Sequence, residues 1–351
     1  MNSVKLYSQG SLLRTAWCRY YATAVKPDIK LLSKLRKETE VSMTKAKEAL
    51  VKHNNDYEQA LAWLAQDAQA SGAKKAQKVA GRTAAEGLIS IASVNVPSAA
   101  AGGFKSKSTI IELNCETDFV SRNDVFKHLA SRIAATSLLL HEPSSVQKRP
   151  IENISVEDLL KAPLMPHPDQ KDSADIGKSI EESIVEAIGK LGEKITLRRV
   201  AVVADGVSAG YVHGGDAVTG KMGGLAVLEP LKVTASELQA SSGEALAKCA
   251  RQVARQVVGF SPSYLHADDV PKDVLESQSD RDENLRSNVL NEMGYLLKPD
   301  QTVAEFVNQS AKDTGVEGAA VVDYVRWQVG EGIEKRENDF ADEVARTVRG
   351  N

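Results

Sequence analysis

Apolar residues recur three or four apart in three successive runs near the N-terminus: Ile29, Leu32 and Leu35, then Met43, Ala46 and Leu50, then Tyr57, Leu61 and Leu64. That spacing lines one face of a helix, so residues 27–70 are expected to form three short helices packed on one another. Asn55 with Glu58 three residues on reads as a capping box opening the third helix, and Thr39-Glu40-Val41-Ser42-Met43 puts Val41 and Met43 at a helix start. A module of this size buries little core by itself and suits a docking role. Beyond it the period shortens. Residues 88–96 and 108–114 are β-rich runs flanking a Pro, Ser, Ala and Gly tract, the pattern of a hairpin with a long tip. The second run leads into Cys115-Glu116-Thr117-Asp118-Phe119-Val120. Ser121 and Asp124 then read as a capping box, with Phe126, Leu129 and Ile133 striping a helix to about residue 140. Five prolines between 141 and 175 predict an irregular insertion. A helix over 176–191 and strands over 195–203, 208–213 and 225–228 suggest a second α+β unit. Helices over 236–258 and 303–313, a strand over 319–329 and a terminal helix over 339–348 complete the pattern.

Composition narrows the function classes. The 351 residues allow two or three domains, and 44 basic against 47 acidic residues give a net charge of −3. Specific nucleic-acid binding, which needs a concentrated basic face, is therefore not expected as the main role. Cys18, Cys115 and Cys249 are odd in number and widely spaced, which suits a reducing compartment and offers no zinc spacing. No run of about 18 uncharged apolar residues exists to span a membrane. The first residues differ from the rest: Lys5, Arg14 and Arg19 precede the first acid, Asp28, as in a mitochondrial transit peptide. Cleavage is expected near Ala22, leaving 41 basic against 47 acidic residues, a net −6. The Ala/Lys-rich stretch 71–87 reads as a basic, solvated helical linker, with RNA contact as the other reading. The resulting layout is 1–21 transit peptide, 27–70 three-helix module, 71–87 linker, 88–140 first α+β subdomain, 141–175 insertion, 176–329 second α+β subdomain and 330–351 C-terminal strand-helix module.

Candidate chemistry is sparse. Gly215-Asp216-Ala217-Val218-Thr219-Gly220-Lys221-Met222 has phosphate-loop spacing until Met222, which has no hydroxyl for Mg²⁺, and the residues after it read as a turn into a strand. His213 has no second His or Cys at ligand spacing. No catalytic, cofactor or metal residues are assigned, and the chain is not expected to be an enzyme.

At Thr117-Asp118-Phe119-Val120, directly after the strand ending at Cys115, the sequence resembles translation elongation factor Ts. Residues 31–50, 73–87 and 195–202 with Arg198-Arg199-Val200 look like the family's landmarks, in the family's order. So do Tyr211-Val212-His213-Gly214 and Val329-Gly330-Glu331-Gly332-Ile333-Glu334-Lys335 with Asp339-Phe340. The basic N-terminus points to a mitochondrial member. The resemblance implies an α+β fold with an N-terminal three-helix module like ubiquitin-associated domains. It also implies guanine-nucleotide exchange on mitochondrial elongation factor Tu in the matrix, acting only indirectly on the GDP, GTP and Mg²⁺ held by that partner. Asp118 and Phe119, flanked by Thr117 and Val120, would intrude near the partner's Mg²⁺ site. Val41, Ser42 and Met43 would dock on its nucleotide domain, and His213 with Gly214 would meet its third domain. Spacing alone makes Phe119 a core aromatic and Asp118 a helix cap. The first three helices also admit a different class, a ubiquitin-associated-like adaptor or RNA-binding module. Three features depart from the family pattern: residues 262–298 are short where many bacterial members carry a long helical hairpin, 141–175 is longer, and Glu38 stands where a basic residue is common.

Overall fold

The computed structural model describes residues 25–39, 41–97, 104–141, 149–166, 177–203, 205–272, 274 and 281–334. The expected targeting segment, residues 142–148 and 167–176 of the Pro-rich stretch, and the terminal helix at 339–348 lie outside the described residues. Packing divides the chain into Met1–Asp67 and Ala68–Asn351.

The smaller unit holds α1 (Ile29–Thr39), α2 (Met43–Lys52) and the first turns of α3, a helix running from Tyr57 to Val79. Leu35, Ala46, Ala49, Leu50, Ala60 and Leu64 form its core, with Leu32, Val41 and Trp63 packed around them. Two members of the apolar stripes are turned outward: Ile29 and Met43 are exposed. The reading of Asn55 as a cap fails as well. Asn55 adopts a left-handed φ of 62°, and its side chain accepts from Asp28 N (2.9 Å) and donates to Lys26 O (2.9 Å). Asp56 does the capping, accepting from Gln59 N at 3.0 Å. Glu38 accepts the Tyr57 hydroxyl.

The larger unit is built on antiparallel strands covered on both faces. Its elements are β1 (Glu86–Pro97), β2 (Phe104–Cys115), α4 (Asp118–Ser121), α5 (Asp124–Leu140), β3 (Ile151–Asn153), α6 (Val156–Leu160), α7 (Ile180–Leu191), β4 (Thr196–Val203), β5 (Val207–His213), β6 (Thr219–Gly220), β7 (Met222–Pro230), α8 (Ala240–Phe260), α9 (Arg281–Asn288), β8 (Gly294–Tyr295), β9 (Lys298–Thr302), α10 (Val303–Lys312) and β10 (Ala319–Gln328). One sheet has the order β3-β4-β2-β1-β6, a second β10-β7-β5, and β8-β9 form a separate hairpin. Successive strand residues point to opposite faces, which explains why the strands carry adjacent apolar pairs. Ile111 and Leu113 face α5 and α7, in one cluster with Phe126, Ile133 and Ile184. Ile89, Ile91 and Ile110 face the second sheet, in one cluster with Leu225, Val227 and Trp327. The outer face of that sheet packs Ala226 and Leu228 against Leu246, Val253 and Val307 of α8 and α10. The sheets approach closely at Gly210 and Gly223, where a Cβ would lie 2.6 Å from methyls of Ile91 and Ile89.

Three expectations change here. β4, grouped by pattern with the later strands, pairs with β2, and α7 packs on the first sheet. Strand pairing joins segments far apart in sequence, which periodicity cannot register. The Pro-rich stretch is partly regular: β3 pairs with β4 at the sheet edge, and Leu159 and Leu164 are buried. The basic linker is not fully solvated, because α3 continues into it as far as Val79, which is buried with Ala76 alongside. Lys75 donates to Gly189 O, and Lys194 Nζ donates to Ala80 O and Arg82 O at 2.8 and 2.9 Å.

Candidate functional site

At the end of β2 the chain makes a single helical turn before α5. Thr117 has extended backbone (φ −122°, ψ 157°) and caps α4, its hydroxyl accepting from Val120 N at 3.4 Å. Val120 is the turn's apolar anchor, buried in the cluster with Cys115 and Phe126. One residue earlier on a helical turn points elsewhere, and Phe119 is 83% exposed. The expectation from spacing of a core aromatic is therefore overturned. Asp118 sits inside the first turn and is not its cap; its carboxylate pairs with Arg122 at 2.9 Å on the surface. The Ser121–Asp124 capping box is absent too. Ser121 closes α4, donating to Asp118 O at 2.9 Å, and Asn123 caps α5 through Val125 N.

A carboxylate remote in sequence holds the turn. Glu193 accepts from Glu116 N (3.1 Å), Thr117 N (3.0 Å) and the Thr117 hydroxyl (2.6 Å). Glu116 in turn accepts from Lys194 N at 2.7 Å and pairs with Arg82 at 3.3 Å. Charge-assisted bonds of this kind to amides and hydroxyls are among the stronger ones, so the base under Phe119 is stiff while the ring itself is uncovered. Below the turn, Cys115 Sγ donates to Thr117 O at 3.1 Å. Burial, with Glu193 nearby, pushes its thiol up to about 12.

His213 and Gly214 lie at the exposed end of β5. Gly214 takes a left-handed φ of 74°, and the Tyr211 hydroxyl lies 3.3 Å from His213 Nδ1. The following loop is stiffened by Asp216, which accepts from Val218 N (3.0 Å), Thr219 N (2.7 Å) and the Thr219 hydroxyl (2.7 Å). Partial burial opposes the charge on Asp216, but those bonds and nearby Lys127 outweigh it and hold the carboxyl below its usual range. The phosphate-loop resemblance ends here, since β7 follows Lys221 where a helix would be needed. Lys221 Nζ instead donates to Ser121 Oγ (3.1 Å), Gly87 O (3.1 Å) and Glu86 Oε2 (3.3 Å). The structure thus brings the Thr117–Val120 turn and the His213–Gly214 loop to one lysine. Val41, Ser42 and Met43 belong to the smaller unit, where Ser42 caps α2 by accepting from Lys45 N at 3.3 Å and Met43 is exposed.

Sequence reading missed Glu193, whose only signal was a charge next to a turn, and met Lys221 only as part of the run with phosphate-loop spacing. Among the described residues no group of His, Cys, Asp and Glu is placed to hold a metal ion, and no helix is long and apolar enough to cross a membrane. A cavity of about 790 Å³ lies elsewhere, lined by Arg149, Tyr264, His266, Tyr324 and Arg326 among others, and by none of the predicted site residues.

Residues 116–288, beginning at the residue before the exposed turn, match the family model described as elongation factor Ts. Residues 17–74 match that of the N-terminal region of mitochondrial elongation factor Ts. The chain is 36% identical over 340 residues to mitochondrial elongation factor Ts of Coprinopsis cinerea, covering 90% of this chain and 96% of the relative. It is 33% and 34% identical over 345 residues to elongation factor Ts of Sinorhizobium fredii and of Rhizobium meliloti, covering 91% of this chain and 98% of each. The fold and these matches define a translation elongation factor. The chain belongs to the elongation factor Ts family.

Proposed function

We propose that this chain is the guanine-nucleotide exchange factor for elongation factor Tu in the mitochondrial matrix. The observation that carries the reading is Phe119, an uncovered aromatic ring on a turn whose base is held by Glu193. An exchange factor binds the nucleotide-free state of its partner more tightly than the loaded state, and by reciprocity it weakens nucleotide binding by the same factor. Each tenfold of weakening needs about 1.4 kcal/mol of differential contact. A rigid ring loses little freedom on insertion between partner side chains, so its contact area is available for that difference. Asp118 beside it carries a carboxylate whose surface pairing with Arg122 is worth little, leaving it able to act on the Mg²⁺ held with the partner's GDP. Thr117 and Val120 hold the turn, Val41, Ser42 and Met43 dock on the nucleotide domain, and His213 with Gly214 meets the third domain. No bond is made or broken in this process, so the protein is not an enzyme in the chemical sense and needs no cofactor of its own. Release of fluorescent GDP from mitochondrial elongation factor Tu, with and without the protein, tests the reading. Acceleration by the native chain supports it, and release at the unassisted rate overturns it.

A further inference from the structure

Lys221 touches four segments that are separate in sequence. Its ammonium has three donors, and each has an acceptor: Ser121 Oγ at the end of α4, and Gly87 O and Glu86 Oε2 at the start of β1. Its backbone N donates to His213 O at 2.9 Å, and its carbonyl accepts from Val329 N at 3.0 Å, just past β10. Gly214 packs beside its side chain, where a Cβ would lie 3.5 Å from Lys221 Cβ. The Ser121 hydroxyl passes the link on, donating to Asp118 O at 2.9 Å, the carbonyl that immediately precedes Phe119. A path of contacts therefore runs from the His213 carbonyl to the Lys221 backbone N–H, along the lysine's own stem to its ammonium, and through the Ser121 hydroxyl to the peptide carrying the exposed ring. The ammonium, the hydroxyl and the Asp118 carbonyl are directly linked, so those two bonds reinforce one another, and Ser121 is buried. A second, looser link runs in parallel, with Lys127 Nζ of α5 4.0 Å from Asp216 Oδ2.

We propose that Lys221 is a positioning residue that makes the Thr117–Val120 turn and the His213–Gly214 loop a single rigid contact surface. The inference rests on the exchange-factor reading for its consequence, though not for its geometry. A wedge on one partner domain and a docking loop on another transmit force between them only if they cannot move independently. The lysine of the phosphate-loop-like run thus acquires a role that involves no phosphate.

The tie is read directly by amide hydrogen exchange on the full-length protein. In Lys221→Met, which keeps the side chain's length and removes its charge, protection should fall by about tenfold at residues 119–121, which lose the ammonium, and by less at 213–214, where the backbone bond from Lys221 N to His213 O remains. Unchanged protection at 119–121 overturns the proposal without touching the exchange-factor reading. Its consequence is read by GDP release at saturating factor. Lys221→Met should slow release about tenfold, and adding Phe119→Ala to it should cost less than about threefold more, because both act on one element. Lys221→Arg, which can reach the same acceptors, should recover release to within about threefold of native. A merely structural lysine would lower the melting temperature and leave the Phe119→Ala ratio unchanged. If Lys221→Met fails to fold, Ser121→Ala cuts the same chain one bond later and carries the same expectations. If Phe119→Ala in the native background releases GDP at the native rate, the wedge role of Phe119 falls, and hydrogen exchange still decides the tie.

Discussion

Phe119 leaves a phenyl ring in water at the end of a buried strand, and the bonds that Glu193 accepts from the backbone before it make the ring's position specific. Phe119→Ala should leave the melting temperature nearly unchanged, whereas removing a buried Phe costs about 3–5 kcal/mol. The same variant should slow GDP release from elongation factor Tu at least about tenfold, or roughly 1.4 kcal/mol of lost coupling. Asp118→Ala should have the smaller effect, shrinking further when Mg²⁺ is chelated, and stopped-flow release with thermal melts reads both. A large loss of stability with a proportionate loss of activity would make Phe119 structural. Four residues before Phe119 the chemistry is reversed. The Cys115 thiol is held up at about 12 and that of Cys249 at about 11, in both cases chiefly by burial. Because burial raises these values, the neutral form persists upward in pH and the reactive thiolate is scarce at pH 8. Neither should react with iodoacetamide in the native state at pH 8, and both should react on unfolding, as peptide mass spectrometry would show. Native-state alkylation of Cys115 would mean that the turn opens.

At the scale of elements, the contact between the two sheets is set by what is missing from side chains. Gly223 of β7 leaves room for Ile89, and a methyl there would meet its Cγ2 at 2.6 Å. Gly223→Ala should destabilise the larger unit by about 1–3 kcal/mol through overpacking, measured by denaturant unfolding. A neutral result would mean that the sheets slide apart freely. The strands and helices themselves were largely legible, since the apolar period reports which face is buried: β1, β2, α5, α7, α8, α10 and β10 lie within a few residues of where it put them. Capping was less so. Asn55 and Ser121 have the right residue types at the right spacing, yet Asp56 and Asn123 do the work. Neighbouring polar residues compete for the same amides, and the turn's backbone path decides among them.

For the whole molecule, the division at Asp67 and Ala68 separates a small helical unit from a much larger one. A core of six buried residues supports less stability than three layered clusters. Unfolding followed at Trp63 and at Trp327, in variants retaining one or the other, should give separate transitions with the Trp63 transition at lower denaturant. Coincident curves would show one cooperative unit. Local sequence determined the order of elements and, through Thr117-Asp118-Phe119-Val120, where the exposed turn would lie, because periodicity and short motifs are properties of neighbouring residues. It could not determine that β4 belongs beside β2, nor that Phe119 points outward, since hydrophobicity alone sends a phenylalanine inward. Those were decided by residues distant along the chain. Glu193 reaches Thr117 across 76 positions and Lys221 reaches Ser121 across 100, and such contacts exist only once the sheets have brought the segments together.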